Sequence, residues 1–589
     1  MPDPKPAIEP SARSFLSILV WVLLGAQFVL LGWSAWCHSP TTLEVSQVPA
    51  GLYHWRTGKF DVAVVNPPLV RLVASTPLLC LGASCDFEAA KFGARHRPER
   101  AIGRSFVEQN GPDVFWMFTI ARWMCIPFVL LGGYVVGLWA RELYGAKPSV
   151  VAVATWVVCP WVLGHGALGT TDVASAALGV SAAYLFWRWQ RLPSWPSALV
   201  AGFVIGVMLV SKFSLLILIP VLCGQWLFTT CRASGMRFQC DVYHVIGMAV
   251  VSAAVINASY GFDGIMVPLG KIPFVSKALT TSHAGDPAAA GNRFSGTLVG
   301  RCPMPIPREY LVGLDLQKRD FERGLASYAY GEWRNRGWWW YYLFALAVKT
   351  PIGVLGLYVM AAASCVVLRV QREELLPLAC AASVLVALSF QTGFGVHGRY
   401  ILPALPFLYI FVSRLMSESI RHFRVLRIAS VTMLAAAAVE SACIYPHSLS
   451  FFNIAFGGPS HGYRYLADSN VSWGQDLFFL EAWLRKHPEV AEPNLLYAGV
   501  VNPSLAGVRC RLPQSQPVPP PVSNDENGGL EAGWYVIDVN YLVGSQAPAL
   551  GENGELVWSV SSDYDWIAFT AMEPYGRVAY SFVVYRVER

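Results

Sequence analysis

Two carboxylates and three cations each stand beside a long apolar run. Glu44 follows the first run, in TTLEVSQVPAGLYHWRTGKFDVAVVNPPLVRL (41–72), and Asp172 lies in GHGALGTTDVASAALG (164–179). Group transfer onto a hydroxyl or amine needs a base for the acceptor proton, and a carboxylate suits that task. The plain alternatives are a solvated loop residue for Glu44 and, for Asp172, a helix N-terminal acid favoured by the macrodipole. Lys212 interrupts LVSKFSLLILIP (209–220), Lys349 lies in ALAVKTPIG (345–353), and Arg399 is in HGRYILPALP (397–406). A buried or interfacial cation can hold a phosphate through charge-assisted hydrogen bonds. Its competing fate is to snorkel to the headgroups. Ionisable groups this close to apolar runs are costly, which makes each a functional candidate.

The elements that must position these groups follow from composition. The chain has 589 residues, of which 54% are hydrophobic and 14% charged, and its mean hydropathy is +0.43. Soluble domains carry about 25% charged residues, so a polytopic α-helical membrane protein is expected. The net charge of +6 is small for this length and suits basic cytoplasmic loops better than a nucleic-acid surface. The cysteines show no CxxC pair, and Cys125, Cys159, Cys223, Cys365, Cys380 and Cys443 lie inside apolar runs. They read as small core residues, so no metal site is expected from them. Cys80 and Cys85 are either an extracytoplasmic disulfide or two ordinary thiols. His165, His397 and His461 are dispersed and read as satisfied polar residues. No cofactor is indicated, and the sequence points to no divalent metal.

Apolar runs of spanning length begin with Phe15 to Trp36, which has no cleavage site after it and reads as an anchored helix. Others lie near 114–140, 148–164, 170–189, 197–211, 213–231, 242–260, 341–368, 374–391, 400–416 and 426–446, making about 11 transmembrane helices. Arg141 and Lys147, Arg188 and Arg191, Arg232 and Arg237, Arg369 and Arg372, and Arg414, Arg421, Arg424 and Arg427 fall in every second connection. The positive-inside rule then makes the amino terminus cytoplasmic and everything after about residue 447 extracytoplasmic. The expected division is a transmembrane module over 1–447, with outer loops 37–113 and 261–340, and a small α/β domain over 448–589. That last part holds a helical DLFFLEAWLRKH (476–487), a Pro-rich break at 514–529, and strand-like WYVIDV (534–539) and YSFVVYRV (580–587). GEWRNRGWWWYYLF (331–344) reads first as an interfacial aromatic belt and second as a sugar-stacking surface. Asn66-Pro67-Pro68 fixes a kink before a short helix in VRLVASTPLL (70–79).

Taken in order, the acidic motif at 42–51, FDVAVVNPPLVRL (60–72), HGALGTTD (165–172), SKF (211–213), GEWRNRGWWWYYL (331–343), KTP (349–351), GRYILPALP (398–406) and FNIAFGGPSHGYRYLADSNVSWGQDL (452–477) cover nearly the whole chain. Together they resemble the GT-C class of polyprenyl-phosphate-sugar-dependent glycosyltransferases, in particular bacterial members of the protein O-mannosyltransferase and aminoarabinose transferase superfamily. The resemblance implies a GT-C fold in the bacterial inner membrane, with the first outer loop forming two amphipathic helices that carry the catalytic acid. It implies a polyprenyl-phosphate-linked sugar donor, an acceptor (protein, lipid or glycan) entering from outside, and inversion at the anomeric carbon with a carboxylate as base. Glu44 and Asp172 are the catalytic candidates; Lys212, Lys349, Arg399, Tyr400, Asn66 and His165 are the substrate-binding candidates. Two positions depart from the family pattern. Leu43 stands where relatives carry the Asp of an Asp-Glu pair, and Ser472 where they carry the Asp of SN-x-DWGQD. A non-catalytic relative that binds the lipid carrier or assists envelope assembly is therefore the second reading. A transporter is the third, since few charges lie deep in the expected spans.

Overall fold

The computed structural model describes residues 10–92, 97–230, 235–281, 291–513, 532–545, 549–551, 556–557 and 566–588. Arg232 and the Pro-rich stretch 514–529 lie outside the described residues. Helix α1 (Pro10–Cys37) has no charged residue from Phe15 onward, so its side chains suit the bilayer and its backbone satisfies itself there. Four residues separate it from α2 (Thr42–Thr57). The Thr41 side chain accepts from the Glu44 N–H while the Glu44 carboxylate accepts from the Thr41 N–H, which closes a capping box. Gly58 ends α2 at φ 67°, a left-handed conformation that costs glycine little. Behind Pro67-Pro68 comes α3 (Leu69–Ser75), and α4 (Glu99–Asn110) packs back on α2.

The bundle continues with α5 (Val114–Trp123), α6 (Ile126–Tyr144), α7 (Ala146–Val158), α8 (Pro160–Gly166), α9 (Thr171–Arg191), α10 (Trp195–Leu209), α11 (Leu218–Thr230) and α12 (Gly235–Ser259). After α13 (Arg308–Arg323) in the second long loop come α14 (Tyr341–Lys349), α15 (Ile352–Val367), α16 (Leu375–Phe390), α17 (Leu405–Val412) and α18 (Arg424–Ala442). Among the described residues, seven helical segments are long and apolar enough to cross a membrane. The number is nine if the bent pairs α7–α8 (57°) and α14–α15 (117°) each make one span. Two expected spans fall short of that criterion for different reasons. The 21 residues of α9 are long enough but, rich in Ala, Ser and Gly, not apolar enough. The 15 residues of α10 reach only ~22 Å at 1.5 Å per residue, against a hydrocarbon core of about 30 Å. The architecture is a multi-pass helical membrane protein.

The bundle has two chemically distinct ends. At one, Tyr144 donates to Glu374 (2.7 Å), Arg414 lies 3.5 Å from the same carboxylate, and Tyr184 donates to Glu142 (2.5 Å). This end gathers, among the described residues, the connections that carry Arg141, Arg188, Arg372 and Arg414. At the other end the Ser39 N–H donates to Gln475 O (2.9 Å), the Leu69 N–H to Val210 O (3.2 Å), the Asn453 N–H to Val348 O (2.9 Å) and the Gly398 N–H to Asn470 Oδ1 (3.1 Å). Segments distant in sequence are thereby knitted into one cap, and every candidate site residue lies there.

Strands β1 (Ser327–Ala329) and β2 (Glu332–Arg334) form a hairpin in the second long loop. After α19 (Leu477–Lys486), β3 (Asn494–Leu496), β4 (Gly533–Asp538), β7 (Gly576–Val578) and β8 (Phe582–Val587) make a sheet of order β3-β4-β8-β7, parallel between β3 and β4 and antiparallel elsewhere. The short helix α20 (Val539–Leu542) follows β4, and β5 (Ala549–Leu550) pairs with β6 (Leu556–Val557). The β-branched run around Val536, Ile537, Val583 and Val584 is fully buried on both faces of the sheet. Cys80 and Cys85 are both free thiols, so the disulfide alternative does not hold.

Candidate active site at the capped end of the bundle

The Glu44 carboxylate is wholly buried and saturated. Its Oε1 accepts from Arg122 Nε (2.8 Å) and the Gly169 N–H (2.7 Å); its Oε2 accepts from an Arg122 terminal nitrogen (2.7 Å) and from the Thr41 N–H and hydroxyl (2.9 Å each). Arg122 in turn donates to the carbonyls of Ala35 (2.9 Å), His38 (2.6 Å) and Ser39 (2.8 Å), the last turn of α1 and its exit. Burial pulls the Glu44 carboxyl upward, but the Arg122 guanidinium and the donated hydrogen bonds outweigh it and hold the group below its ordinary value. Glu44 is thus a poorly basic anion that locks α1, α2, α5 and the α8–α9 turn together. Sequence reasoning missed Arg122, although a lone charge inside the apolar run 114–140 was a legible signal.

Asp172, at the N-terminus of α9, sits on the other side of that turn with its own cations. Lys212 Nζ donates to Asp172 Oδ1 at 2.6 Å, and Arg399 Nε lies 3.3 Å from Oδ2, an oxygen that accepts no hydrogen bond. Lys212 is presented by the break between α10 and α11: it is extended (φ −160°, ψ 132°) before a 3-10 turn. Its ammonium stands 4.7 Å from the centre of the Tyr400 ring, and the Arg399 guanidinium lies over Trp473 at 4.2 Å. Arg399 also donates to the Ser469 hydroxyl. Lys349 donates to the carbonyls of Leu449 (2.8 Å) and Asn470, between the Trp161 and Phe452 rings. Lys212, Lys349 and Arg399 are all buried, so none of the three snorkels. His165 stacks on Trp161, its ring Nδ1 without a partner, and it shares a small pocket with Lys349 and Leu449.

The structure therefore brings Asp172, Lys212, Lys349, Arg399, Tyr400 and His165 into one cluster, with Glu44 across the α8–α9 turn. Asn66 stays apart: its loop reaches Val210 through Leu69, and none of the cluster's hydrogen bonds involves it. Leu43 packs against Leu168, Leu449 and Trp473, so the position before Glu44 is filled by an apolar group. Ser472 donates to Asp538 Oδ2 (2.5 Å), tying the loop to β4. The aromatic run divides. Trp338, Tyr341 and Tyr342 are core residues, and Trp339 is the exposed member of the triplet. The Tyr341 hydroxyl accepts from Asn470 (3.1 Å), which joins the buried part of this run to the site. Spacing along the chain assigns no metal ligands, but folding brings His38, His447 and Asp476 within reach of one another.

A family model for dolichyl-phosphate-mannose-protein mannosyltransferases matches residues 117–260, the stretch that holds Arg122, Asp172 and Lys212. The resemblance read from the motifs is met there by that match. Among solved structures, the chain is similar to ArnT from Cupriavidus metallidurans in the apo state, at 12% identity and a TM-score of 0.44 over 98% of each chain. The same protein bound to undecaprenyl phosphate gives 12% identity and a TM-score of 0.46, over 97% of this chain and 98% of that one. The Archaeoglobus fulgidus oligosaccharyltransferase in the apo form gives 13% and 0.40, over 91% of this chain and 71% of that one. No curated protein sequence matches.

Proposed function

We propose that the chain is an integral membrane glycosyltransferase of the bacterial inner membrane that moves a sugar from a polyprenyl-phosphate donor to an extracytoplasmic acceptor with inversion. One observation carries this reading: two buried cations, Lys212 and Arg399, share one buried carboxylate, Asp172, and a third, Lys349, lies buried in the same cluster with only the Leu449 and Asn470 carbonyls as acceptors. Buried positive charge without a counter-ion is strongly unfavourable, and a lipid phosphate arriving from the bilayer would relieve it. Once Lys212 and Arg399 turn to the phosphate, Asp172 is freed. Its carboxylate takes the acceptor proton as the acceptor oxygen bonds to the anomeric carbon, and the bond from that carbon to the phosphate oxygen breaks. The electron pair leaves with the polyprenyl phosphate, which the cations stabilise. Glu44 holds the frame in which this happens. The basic connections at the opposite end support a cytoplasmic amino terminus and an extracytoplasmic carboxyl-terminal domain.

A second reading is favoured by Leu43. With an apolar cluster in place of the first acid and Glu44 saturated, a protein that binds the lipid carrier without transferring sugar fits the same pocket. Purified protein incubated with a panel of polyprenyl-phosphate sugars, with products read by mass spectrometry, separates the two. Transfer that falls at least about 100-fold in Asp172→Asn supports the enzyme. Binding of polyprenyl phosphate with no transfer from any donor in the panel overturns it in favour of the second reading.

A further inference from the structure

His38, His447 and Asp476 come from three parts of the chain: the exit of α1, the loop after α18 and the N-terminus of α19. His38 Nε2 lies 3.7 Å from Asp476 Oδ1, and His447 Nδ1 lies 3.5 Å from the same oxygen. All three ligand atoms fall within 4.8 Å of one another. Each side chain is oriented by its other polar atom or its neighbours. The His38 Nδ1–H donates to Ser34 O (2.8 Å), which leaves Nε2 as a bare lone pair facing inward. Asp476 Oδ2 accepts from Gln475 (2.8 Å) and from the Ser581 hydroxyl (2.7 Å). Asp476 Oδ1 and His447 Nδ1, by contrast, are buried and accept or donate no hydrogen bond, although the aspartate is only 1% exposed. Phe479 and Tyr580 close the site with their rings against His447.

We infer that His38, His447 and Asp476 bind a zinc ion, with a water as fourth ligand. Tetrahedral zinc with bonds of ~2.0–2.1 Å separates its ligand atoms by ~3.4 Å, close to the two separations above. Two imidazoles and one carboxylate are a donor set suited to zinc and poor for magnesium or calcium. His447 is the most exposed of the three, which leaves the side on which a water can enter. The ion ties the outer end of α1 and the last membrane helix to the start of α19. It does so two residues from Pro40 and next to Ser39, whose hydroxyl bridges Gly474 O and the Leu477 N–H. Its place is therefore structural: it fixes the exit of α1 from which α2 and Glu44 are hung. The inference stands independently of the transferase reading.

The test uses tag-free, full-length protein in detergent, stripped with a chelator, dialysed against zinc chloride, desalted and measured by mass spectrometry for metal per chain. Near one zinc per chain is expected in the wild type, a fall to a fifth or less in His447→Ala and in Asp476→Asn, and full retention in His461→Ala. Cobalt in place of zinc should give the intense visible bands of a tetrahedral site, lost in His447→Ala. Wild-type protein that retains no zinc overturns the inference whatever the variants do. Retention in both His447→Ala and Asp476→Asn equal to wild type overturns the assignment to these residues.

Discussion

At the scale of single residues the two carboxylates separate by what surrounds them. Glu44→Gln would leave the Arg122 guanidinium buried without its counter-charge, and one-sided loss of a buried pair costs about 3–5 kcal/mol. The expected outcome is a large fall in thermal unfolding temperature together with lost activity. A variant of wild-type stability and no activity would instead mark Glu44 as the base. Because the Glu44 carboxyl is held below its ordinary value, its contribution is complete above the unfolded-state value of about 4.3. It is lost as the pH falls through the lower folded-state value. Asp538 carries the opposite sign. Burial pushes it up to about 7, against the hydrogen bond from Ser472. Between an unfolded-state value of about 4 and that folded value, the native chain keeps a proton that the unfolded chain has released. Its contribution therefore declines as pH rises through this window and is flat above it. Asp538→Asn should remove that slope, gaining up to ~4 kcal/mol at pH 8 relative to pH 4, read from unfolding temperatures of both proteins across the range.

At the scale of elements, the helices that carry Glu44 were largely legible. The T-x-x-E start of α2, the Pro-Pro entry to α3 and the helix α19 all stand in the sequence as local signals, and so do the strands at 533–538 and 582–587. What local signals do not carry is how closely these helices approach. A Cβ on Gly51 would lie 2.2 Å from Arg71 O, and one on Gly103 would lie 2.2 Å from Val45 O, next to Glu44. Both contacts join residues far apart in the chain, and neither glycine has a periodicity that announces them. Gly51→Ala and Gly103→Ala should each separate α2 from its neighbour at a cost of about 1–3 kcal/mol. Gly25→Ala, where a Cβ meets nothing within 4 Å, should match wild type or exceed it slightly. An unfolding temperature in Gly103→Ala equal to that of Gly25→Ala would show that α2 and α4 do not pack this tightly. The same reasoning explains Arg122, His38 and Asp476. Arg122 meets Glu44 across 78 residues of chain, and Asp476 meets His447 across 29 and His38 across 438, so only the closed fold makes them a lock or a ligand set.

At the scale of the whole molecule, the capped end of the bundle holds a cluster in which two buried cations share one carboxylate. Asp172 is the buried counter-ion to Lys212 and Arg399, so a phosphate and Asp172 compete for the same donors. That competition makes an unusual prediction. Asp172→Asn should lower the unfolding temperature of the ligand-free protein, because the cations lose their partner. It should also tighten binding of undecaprenyl phosphate by about tenfold, ~1.4 kcal/mol, because the lipid no longer displaces an acid. Lys212→Met should do the reverse for the ligand, weakening it by a comparable factor, while Asp172 keeps Arg399. Sugar transfer is lost in both. The measurement is a titration of purified wild-type, Asp172→Asn and Lys212→Met protein with undecaprenyl phosphate, followed by thermal shift and by direct binding. If the two substitutions weaken the lipid equally, Asp172 does not compete with phosphate, and the cluster is an ion-pair network serving the fold. If they move affinity in opposite directions, the buried carboxylate holds the site ready and gives up its cations when the donor arrives.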